Sequence, residues 1–367
     1  MGDNMKNVFV AATRQNDGKT MVSLGLFNAF RKRYPALSYI KPVGQQYRLI
    51  DGEKIDKDAV LIHSTYQLPD RLSDMSPIAI PRGFTQNYIE RGNRNELVEK
   101  VQKAYHTLAD GKDFVLIEGT GHAGVGSVFD LCNADVAKLL GARVIIVSLG
   151  GIGRPIDEIM MNKALFDHRG VELLGVIINK VDPEKYDKIN DLVRKGLKRF
   201  GIRVFGVVPL VQTLSKPSLA ELLEDLDGEL LSGEEKDLST SIGKFVIGDM
   251  QPHAAVDVFT NNALIIVPGN RDGIIVTALY GRLFGSGATA NVAGLIFTEG
   301  IRPHPKIMDL IHQSNVPVML VKEDSFSVAT KINRSIFKLR AEETEKIRLS
   351  QQLVEQYVDV DAICSLL

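Results

Sequence analysis

Lys19 and Thr20 are the residues whose types and spacing most clearly indicate chemistry. They end the stretch "VFVAATRQNDGKT" (8–20), in which an apolar strand precedes a glycine and a helix is predicted to begin near Met21. Backbone N–H groups of such a turn bind an anion, the lysine reaches terminal phosphates and the threonine hydroxyl ligates Mg²⁺. Gly18 allows the backbone to approach a ligand closely. We therefore predict a phosphate-binding loop with Lys19 as a catalytic residue.

The loop departs from the pattern G-x-x-x-x-G-K-[ST], because Thr13 stands where the first glycine falls. The alternative interpretation is a surface turn with an exposed lysine. The flanking strand and helix favour the phosphate loop, since they are the context in which such a loop works. We therefore count Thr13, Gly18, Lys19 and Thr20 as nucleotide-binding residues.

Three charged residues adjoin other apolar segments. Lys41 follows "LSYI" (37–40), and a lysine at the carboxyl end of a strand faces the crevice used by α/β ligand sites; a surface lysine is the alternative. Asp58 precedes an apolar helical run, either as a helix N-terminal carboxylate or as a metal ligand. Glu118 ends "FVLIE" and is predicted to hold Mg²⁺ directly or through water.

Two loops after predicted strands add polar candidates. Gly119 opens "GTGHAGVG", whose glycines let the backbone approach a ligand, and His122 is predicted to bond a phosphate or substrate oxygen. A structural role is the alternative for a lone loop histidine. Asn179 ends "GVIIN", where an amide reads a purine edge with one donor and one acceptor. All three are predicted to bind the nucleotide.

The predicted site residues follow strands, so a parallel sheet would bring them together at the carboxyl ends of its strands. In the first 210 residues, short runs rich in Val and Ile alternate with amphipathic helices, which is typical of an α/β fold with helices on both faces of a mostly parallel sheet. The clearest strands are predicted at 7–12, 113–118, 143–148, 173–179 and 203–208, with a helix at 95–109. From residue 244 a second, smaller α/β series begins, with strands in 245–250, 263–269, 292–300 and 316–323.

The segment 211–243 separates the two series, because it holds two acidic clusters and no long apolar run. We predict a nucleotide-binding domain at 1–212, a smaller α/β domain at 213–338 and a helical tail at 339–367. Leu349, Leu353, Val354 and Tyr357 give the tail an apolar stripe. It is expected to pack on the second domain or on a partner chain.

Composition excludes several classes of protein. A chain of 367 residues favours two domains, and 44 basic against 45 acidic residues leave no overall field for nucleic acid or an anionic membrane. Cys132 and Cys364 support neither a disulfide framework nor a zinc site. Since no signal peptide or membrane span is apparent, we expect a cytoplasmic protein without nucleic-acid or membrane partners.

The order of the motifs resembles the dethiobiotin synthetase-like P-loop ATPase domain. The matching residues are A-T-x-x-x-x-G-K-T, K-P-V-G, V-L-I-E-G-T-G, the asparagine after a later strand and G-V-V-P, between Lys6 and Leu210. That group includes cobyrinic acid a,c-diamide synthases and the N-terminal, non-catalytic domain of long phosphotransacetylases. Residues 216–331 resemble the DRTGG domain through "PGNRDGIIVTAL", "GLIFTEGIRPHPKI" and "VPVMLVKEDSFSVATKI". The whole resembles the N-terminal regulatory part of a long phosphotransacetylase, without a recognisable catalytic domain.

The resemblance implies ATP, or another purine nucleotide, with Mg²⁺ as cofactors. It assigns phosphate contact to Lys19, metal binding to Thr20, Asp58 and Glu118, a second active-site lysine to Lys41 and adenine contact to Asn179. Ala12 matches the loop glycine of the synthetase, so that glycine is also lost. Arg14 stands where dimeric switch ATPases carry a lysine that reaches across the interface, which implies a homo-oligomer and a trans-acting arginine. A small-molecule ligand is expected at the second domain, near Thr298 to Arg302.

Two functions follow, and a third is disfavoured. The first is an Mg-ATP-binding regulatory protein whose second domain senses a ligand. The alternative is an ATP-dependent synthetase that phosphorylates a carboxylate or carbamate, with Lys41 holding the acceptor. Contacts for a diamino acid are not found, and the loop "EGTGHAGVGSVFDL" is unlike that of the synthetase, so biotin chemistry is not inferred. In the second domain, Glu299 stands where the DRTGG domain usually has a glycine. A purely structural oligomerisation module would not need Lys19, Thr20 and Glu118 together.

Overall fold

The computed structural model divides the chain into two compact units, Met1–Val211 with Leu339–Leu367, and Gln212–Lys338. It describes residues 5–234, 237, 238, 240, 242–260, 262–284, 292–334 and 339–367. The predicted boundary at residue 338 lies outside these residues. The helical tail, which was expected on the second domain or a partner chain, instead belongs to the first unit.

The first unit is built on strands that follow the apolar runs of the sequence. They are β1 (Lys6–Ala12), β2 (Leu37–Ile40), β3 (Val43–Gly44), β4 (Tyr47–Ile50), β5 (Glu53–Asp56), β6 (Ile78–Ala79), β7 (Phe114–Glu118), β8 (Val144–Leu149), β9 (Leu173–Val181) and β10 (Val204–Pro209). Six of them form one parallel sheet in the order β10-β9-β8-β1-β7-β2. The pairs β3–β6 and β4–β5 form separate two-stranded ribbons.

Helices connect these strands. They are α1 (Lys19–Arg31), α2 (Lys57–Tyr66), α3 (Leu72–Met75), α4 (Phe84–Arg91), α5 (Arg94–Ala109), α6 (Asn133–Leu139), α7 (Arg154–His168) and α8 (Tyr186–Lys198). Short 3₁₀ turns lie at Ser127–Phe129 and Pro183–Lys185. Val8 to Ala12 of β1 are all buried, and because successive strand residues face opposite sides, both faces of the sheet are covered. The predicted fold class is confirmed.

The second unit is a smaller α/β domain. After a 3₁₀ turn at Gln212–Ser215 come α9 (Leu219–Asp225), β11 (Glu229–Ser232), β12 (Lys244–Ile247), α10 (Pro252–Val258), β13 (Ala263–Pro268), α11 (Asp272–Phe284), β14 (Val292–Thr298), α12 (Pro305–Ser314), β15 (Val318–Leu320) and α13 (Ser325–Arg334). The sheet order is β11-β15-β14-β13-β12, with β11 antiparallel to its neighbour. Ile265 and Phe297 belong to one core cluster and Leu264 and Ile296 to the other, so alternate residues supply the two faces.

The C-terminal segment, α14 (Thr344–Tyr357) and α15 (Val360–Leu366), packs on α1. The absence of a side chain at Gly25 permits this close approach, since an added Cβ would lie 2.3 Å from Cγ2 of Val354 and 2.9 Å from the carbonyl oxygen of Ser350. The backbone amide of Asp359 also donates to the carbonyl of Phe205 at 2.8 Å. Leu353 and Val354 of the predicted stripe are buried, with Val354 against the helix that follows the phosphate loop, whereas Tyr357 packs on Tyr186 of α8 with ring centroids 5.9 Å apart.

Across the part of the chain that the structure describes, we find no helix with the length and apolar character needed to cross a membrane.

Candidate functional site

The predicted phosphate loop lies between the end of β1 at Ala12 and the start of α1 at Lys19. Gly18 has a φ of 95°, a left-handed value that glycine adopts at little cost. A Cβ on this residue would lie 2.1 Å from Nδ2 of Asn179, so packing also requires glycine here. No side chain caps α1 at Gly18, which leaves the first helical turn open towards the loop, as anion binding at a helix N-terminus requires.

The loop is cross-linked by its own side chains. Oγ1 of Thr13 donates to Oδ2 of Asp17 at 2.5 Å, and the backbone amide of Arg14 donates to the same oxygen at 2.8 Å. Oγ1 of Thr13 also lies 3.1 Å from Oγ of Ser148, at the end of β8. Nδ2 of Asn162 donates to the carbonyl of Thr13 at 3.3 Å. The Thr13 hydroxyl therefore holds the loop together from within.

The end of β9 anchors the loop from the other side. Nδ2 of Asn179 donates to the carbonyl of Asp17 at 2.9 Å, and Nζ of Lys180 donates to the carbonyl of Asn16 at 2.8 Å. Burial lowers the pKa of Lys180, and the charge of Asp17 opposes that shift. Oδ1 of Asn179 is buried and has no hydrogen-bond partner among the described residues. The strand end thus orders the loop and presents one buried acceptor.

Three predicted residues meet in one buried ion cluster. Nζ of Lys41 lies 2.6 Å from Oδ2 of Asp58 and 2.8 Å from Oε1 of Glu118, and the three side chains are 4%, 1% and 0% exposed. Oγ1 of Thr20 donates to Oε1 of Glu118 at 3.2 Å, which joins the cluster to the phosphate loop. The hydroxyl of Tyr39 donates to the other oxygen of Glu118 at 3.2 Å.

Local structure explains this convergence. Glu118 ends β7, and Val10 of β1 is its neighbour in the parallel register, so the acid lies beside the start of the loop. Asp58 lies in the first turn of α2, where its amide donates to Oδ1 of the capping residue Asp56 at 2.9 Å. Both alternatives for Asp58 are therefore compatible with its position, since it is a first-turn carboxylate that also contacts Lys41.

The cluster perturbs its members strongly. Burial alone would lower the pKa of Lys41, but Asp58 and then Glu118 outweigh that effect, so the pKa is raised and the ammonium stays charged. Burial, with the neighbouring charge of Glu118 next in size, raises the pKa of Tyr39 well above its usual value. Tyr39 therefore remains a neutral donor to the carboxylate.

The donor chemistry fits the predicted magnesium ion. Thr20, Asp58 and Glu118 bring a hydroxyl and two carboxylates together, and Mg²⁺ prefers oxygen ligands with few protein groups and several waters. The described ranges contain no group of three or more His, Cys, Asp or Glu side chains placed to hold a metal. The ammonium of Lys41 contacts both carboxylates, so a metal at this point would share them with a lysine.

The loop after β7 is arranged mainly by its own contacts. Nδ1 of His122 accepts from the amide of Gly124 at 3.2 Å, and its carbonyl accepts from Nδ2 of Asn133 at 2.6 Å. At Gly119 an added Cβ would lie 2.5 Å from Cε1 of Phe9. Glycine is thus required there for packing, while ligand contact by His122 and Gly119 stays a prediction.

Arg14 is paired within its own chain. Its Nε lies 2.8 Å from Oε2 of Glu158, whose other oxygen lies 2.6 Å from Nε of Arg154. A role for Arg14 across an oligomer interface stays a prediction, and it would require this pair to open.

The expected ligand region of the second unit has polar groups that bond to one another. Oγ1 of Thr298 lies 2.9 Å from Oγ of Ser325. Glu299 adopts a left-handed φ of 61°, where a glycine is usual. Nη2 of Arg302 bonds both carboxylate oxygens of Glu229, and both side chains are exposed. A ligand at this edge stays a prediction.

Sequence reasoning missed five residues that organise the site. They are Asp17, Tyr39, Ser148, Asn162 and Lys180. Asp17 adjoins Gly18 and Lys180 adjoins Asn179, both predicted nucleotide-binding residues, so their positions in the sequence indicated that they lie near the site. Asn162 lies within α7 and also accepts from the amide of Ala123 at 2.7 Å, a link between two loops that no local pattern reveals.

Comparison with known proteins agrees with this architecture. Residues 6–218 match the profile of the AAA domain family AAA_26, and residues 221–335 match the DRTGG domain. A phosphate acetyltransferase of Nitratidesulfovibrio vulgaris is 26% identical over 96% of this chain and 50% of its own length; one of Synechocystis is 25% identical over 98% and 52%. The chain thus spans about half the length of these relatives.

A solved structure of a putative plasmid partition protein from Borrelia burgdorferi bound to AMPPNP is 12% identical, with a TM-score of 0.39 over 58% of this chain and 90% of that chain. The matches confirm the resemblance drawn from the motifs. Since the AAA_26 match covers more than half of the residues, the chain belongs to this P-loop AAA domain family, carries a DRTGG domain after it and is related to phosphate acetyltransferases.

Proposed function

We propose that the first unit binds Mg-ATP and that the protein uses nucleotide binding as a regulatory signal. The observation that carries the proposal is the 3.2 Å contact between Oγ1 of Thr20 and Oε1 of Glu118. It joins the phosphate end of the loop to the acid of the neighbouring strand. A P-loop site for a nucleotide and its metal needs these two groups at the same point.

Different residues of the chain would bind the phosphates, hold the metal and position the metal ligands. Lys19, at the start of α1, provides a positive charge for the terminal phosphates. Thr20, Asp58 and Glu118 would hold Mg²⁺, which when bound neutralises phosphate oxygens. Lys41 keeps the two carboxylates close together before any metal is bound, since its ammonium contacts both.

Asn179 supplies the argument for adenine. Because its Nδ2 donates to the carbonyl of Asp17, the orientation of the amide is set and Oδ1 is left as the acceptor. On its N7 edge, adenine offers the N6 amino group as a donor, whereas guanine offers the O6 acceptor there. A buried acceptor that meets this N7 edge therefore favours adenine over guanine.

The contacts of Lys41 bear on the choice between regulation and catalysis. A synthetase would use it to hold the acceptor, but two of its three ammonium hydrogens already engage Asp58 and Glu118. This geometry favours binding without phosphoryl transfer. The synthetase stays the second candidate, because a buried lysine beside the predicted metal ligands is also what stabilisation of a transferring phosphoryl group requires.

Isothermal titration of ATP in the presence of Mg²⁺ tests the proposal. Lys19→Ala should weaken ATP binding by about 10- to 100-fold, the loss of one charged contact. Lys195→Ala is the matched control, because that lysine is 70% exposed and pairs with Asp191 on the surface of α8. Equal affinity of the wild type and Lys19→Ala would refute the phosphate-loop assignment.

Phosphate release over a panel of small carboxylates separates the two functions. We expect no acid to raise release above the level of Lys41→Ala. An acid that does so in the wild type would favour the synthetase. The regulatory role is tested by removing residues 212–338, because the C-terminal helices belong to the nucleotide unit and must be kept. Unchanged nucleotide response without that segment would remove support for sensing by the second unit.

A further inference from the structure

Asp17 is an unexpected residue in a loop that is proposed to bind a polyphosphate. It immediately precedes Gly18 and Lys19, and its side chain is buried, with 1% of the residue exposed. A carboxylate at this point adds negative charge to a site for a ligand that is itself strongly negative. Either the charge has a use, or the loop tolerates it for a structural reason.

One carboxylate oxygen of Asp17 gives the structural reason, because it accepts two hydrogen bonds from the loop. Oδ2 of Asp17 accepts both the hydroxyl of Thr13 at 2.5 Å and the backbone amide of Arg14 at 2.8 Å. These bonds close the loop between positions 13 and 17, at the place where the first glycine of the common pattern is absent. Because the hydrogen bonds from the described residues use only Oδ2, the carbonyl oxygen of an asparagine can replace it.

The charge of Asp17 is not cancelled by a close ion pair. Its side-chain hydrogen bonds within the described residues come from an uncharged hydroxyl and a backbone amide. The cations that face it are Arg14 and Lys19 on the loop and Lys180 from the end of β9. Arg14 is bound to Glu158, and Lys180 donates to the carbonyl of Asn16. Burial raises the pKa of Asp17, and the charges of Arg14 and then Lys19 oppose that shift, so Lys19 acts on Asp17 as well as on any bound phosphate.

We propose that Asp17 positions the phosphate loop through Thr13 and Arg14 and that its negative charge sets the affinity for nucleotide below what the loop would otherwise reach. This inference rests on the proposed nucleotide binding. It suits a regulator, because occupancy of a binding site changes most when the dissociation constant is near the working concentration of the ligand. A loop without the carboxylate would be saturated at lower nucleotide concentration.

Asp17→Asn separates charge from geometry, because it keeps the acceptor and removes the charge. We expect the variant to bind ATP about tenfold more tightly than the wild type, as loss of one like-charge interaction in a partly buried site implies. The gain should shrink at high salt and should be absent for adenosine, which carries no phosphate. Titration of ATP and of adenosine into the wild type and into Asp17→Asn measures this gain in affinity.

Thr13→Val tests positioning, since it removes the hydroxyl donor while keeping the shape and the charge of Asp17. We expect weaker ATP binding, by several-fold, with the fold intact by circular dichroism. Equal ATP affinity of this variant and the wild type would overturn the positioning role.

The outcomes for Asp17→Asn are distinct. Equal or weaker ATP binding would overturn the inference and leave the proposed function standing. A similar gain for adenosine would also overturn it, because the cause would then not be charge. If neither the wild type nor Asp17→Asn binds ATP while both remain folded, the proposed nucleotide binding fails and the inference fails with it.

Discussion

Replacing Lys41 by methionine tests the buried ion cluster most directly. The ammonium of Lys41 lies 2.6 Å from Oδ2 of Asp58 and 2.8 Å from Oε1 of Glu118, and all three side chains are at most 4% exposed. Methionine keeps the length of the side chain but leaves two neighbouring carboxylates without the cation between them. Removal of one partner from a buried ion pair costs about 3–5 kcal/mol of unfolding free energy.

The loss should be large enough to measure by thermal unfolding. For a domain of 150–250 residues each kcal/mol shifts Tm by about 2–4 °C, so Lys41→Met should lower Tm of the nucleotide unit by about 6–20 °C. Lys195→Met is the matched control, because its pair with Asp191 is exposed. An exposed i,i+4 pair contributes only about 0.3–0.5 kcal/mol.

Magnesium provides a second readout. Without the ammonium, a divalent cation is the natural counter-charge for Asp58 and Glu118, so millimolar Mg²⁺ should raise Tm of Lys41→Met more than that of the wild type. A loss of stability no larger than that of Lys195→Met would refute the buried cluster. Absence of any extra Mg²⁺ effect would refute the assignment of these carboxylates as metal ligands.

Two further predictions concern packing and pH. Gly25→Val should lower stability by about 1–3 kcal/mol, since its Cβ would lie 2.3 Å from Cγ2 of Val354, and Gly25→Val/Val354→Ala should recover part of that loss in denaturant titration. Burial raises the pKa of Asp17 above 3.8, so the folded state binds the proton of this carboxyl group more tightly than the unfolded state does. Ionisation of Asp17 therefore lowers the free energy of unfolding at pH values above the folded pKa. Asp17→Asn should therefore be more stable than the wild type at neutral pH, and the difference should shrink towards pH 3.8 in unfolding curves.

The strands could be read from the sequence because burial on both faces makes them continuous apolar runs. β7 was expected at 113–118 and lies at Phe114–Glu118. β9 was expected to end at Asn179 but continues through Lys180 to Val181. Asn179 and Lys180 are polar and resemble a loop, yet the strand continues because Asn179 pairs with Leu149 of β8 and Val181 pairs with Pro209 of β10.

The helical tail shows what a pattern leaves open. Its apolar stripe predicted a helix with one buried face, and Leu353 and Val354 are indeed buried. The apolar stripe does not predict which surface the helix packs on, because many apolar surfaces could cover it equally well. The partner is α1, where Gly25 lets the two helices approach closely. This choice depends on tertiary packing, which spacing along the chain does not encode.

The position of a side chain at a strand end could be predicted from the sequence, whereas the pairing of side chains could not. Carboxyl ends of parallel strands share one edge of the sheet, so Lys41 and Glu118 were expected near the loop. Their direct contact was not expected, nor was the pairing of Arg14 with Glu158. Such pairs depend on rotamers and burial, which a linear pattern does not specify.

The missing glycine at the start of the loop is best understood together with Asp17. A glycine at position 13 would offer no hydroxyl, so Oδ2 of the buried carboxylate would keep only the amide of Arg14 as a donor. A buried carboxylate with fewer donors is costly to ionise. Thr13 therefore stabilises an acid that the common pattern does not contain. The departure from the pattern and the buried acid are two parts of one arrangement, which is why we propose a modified phosphate site rather than a decayed one.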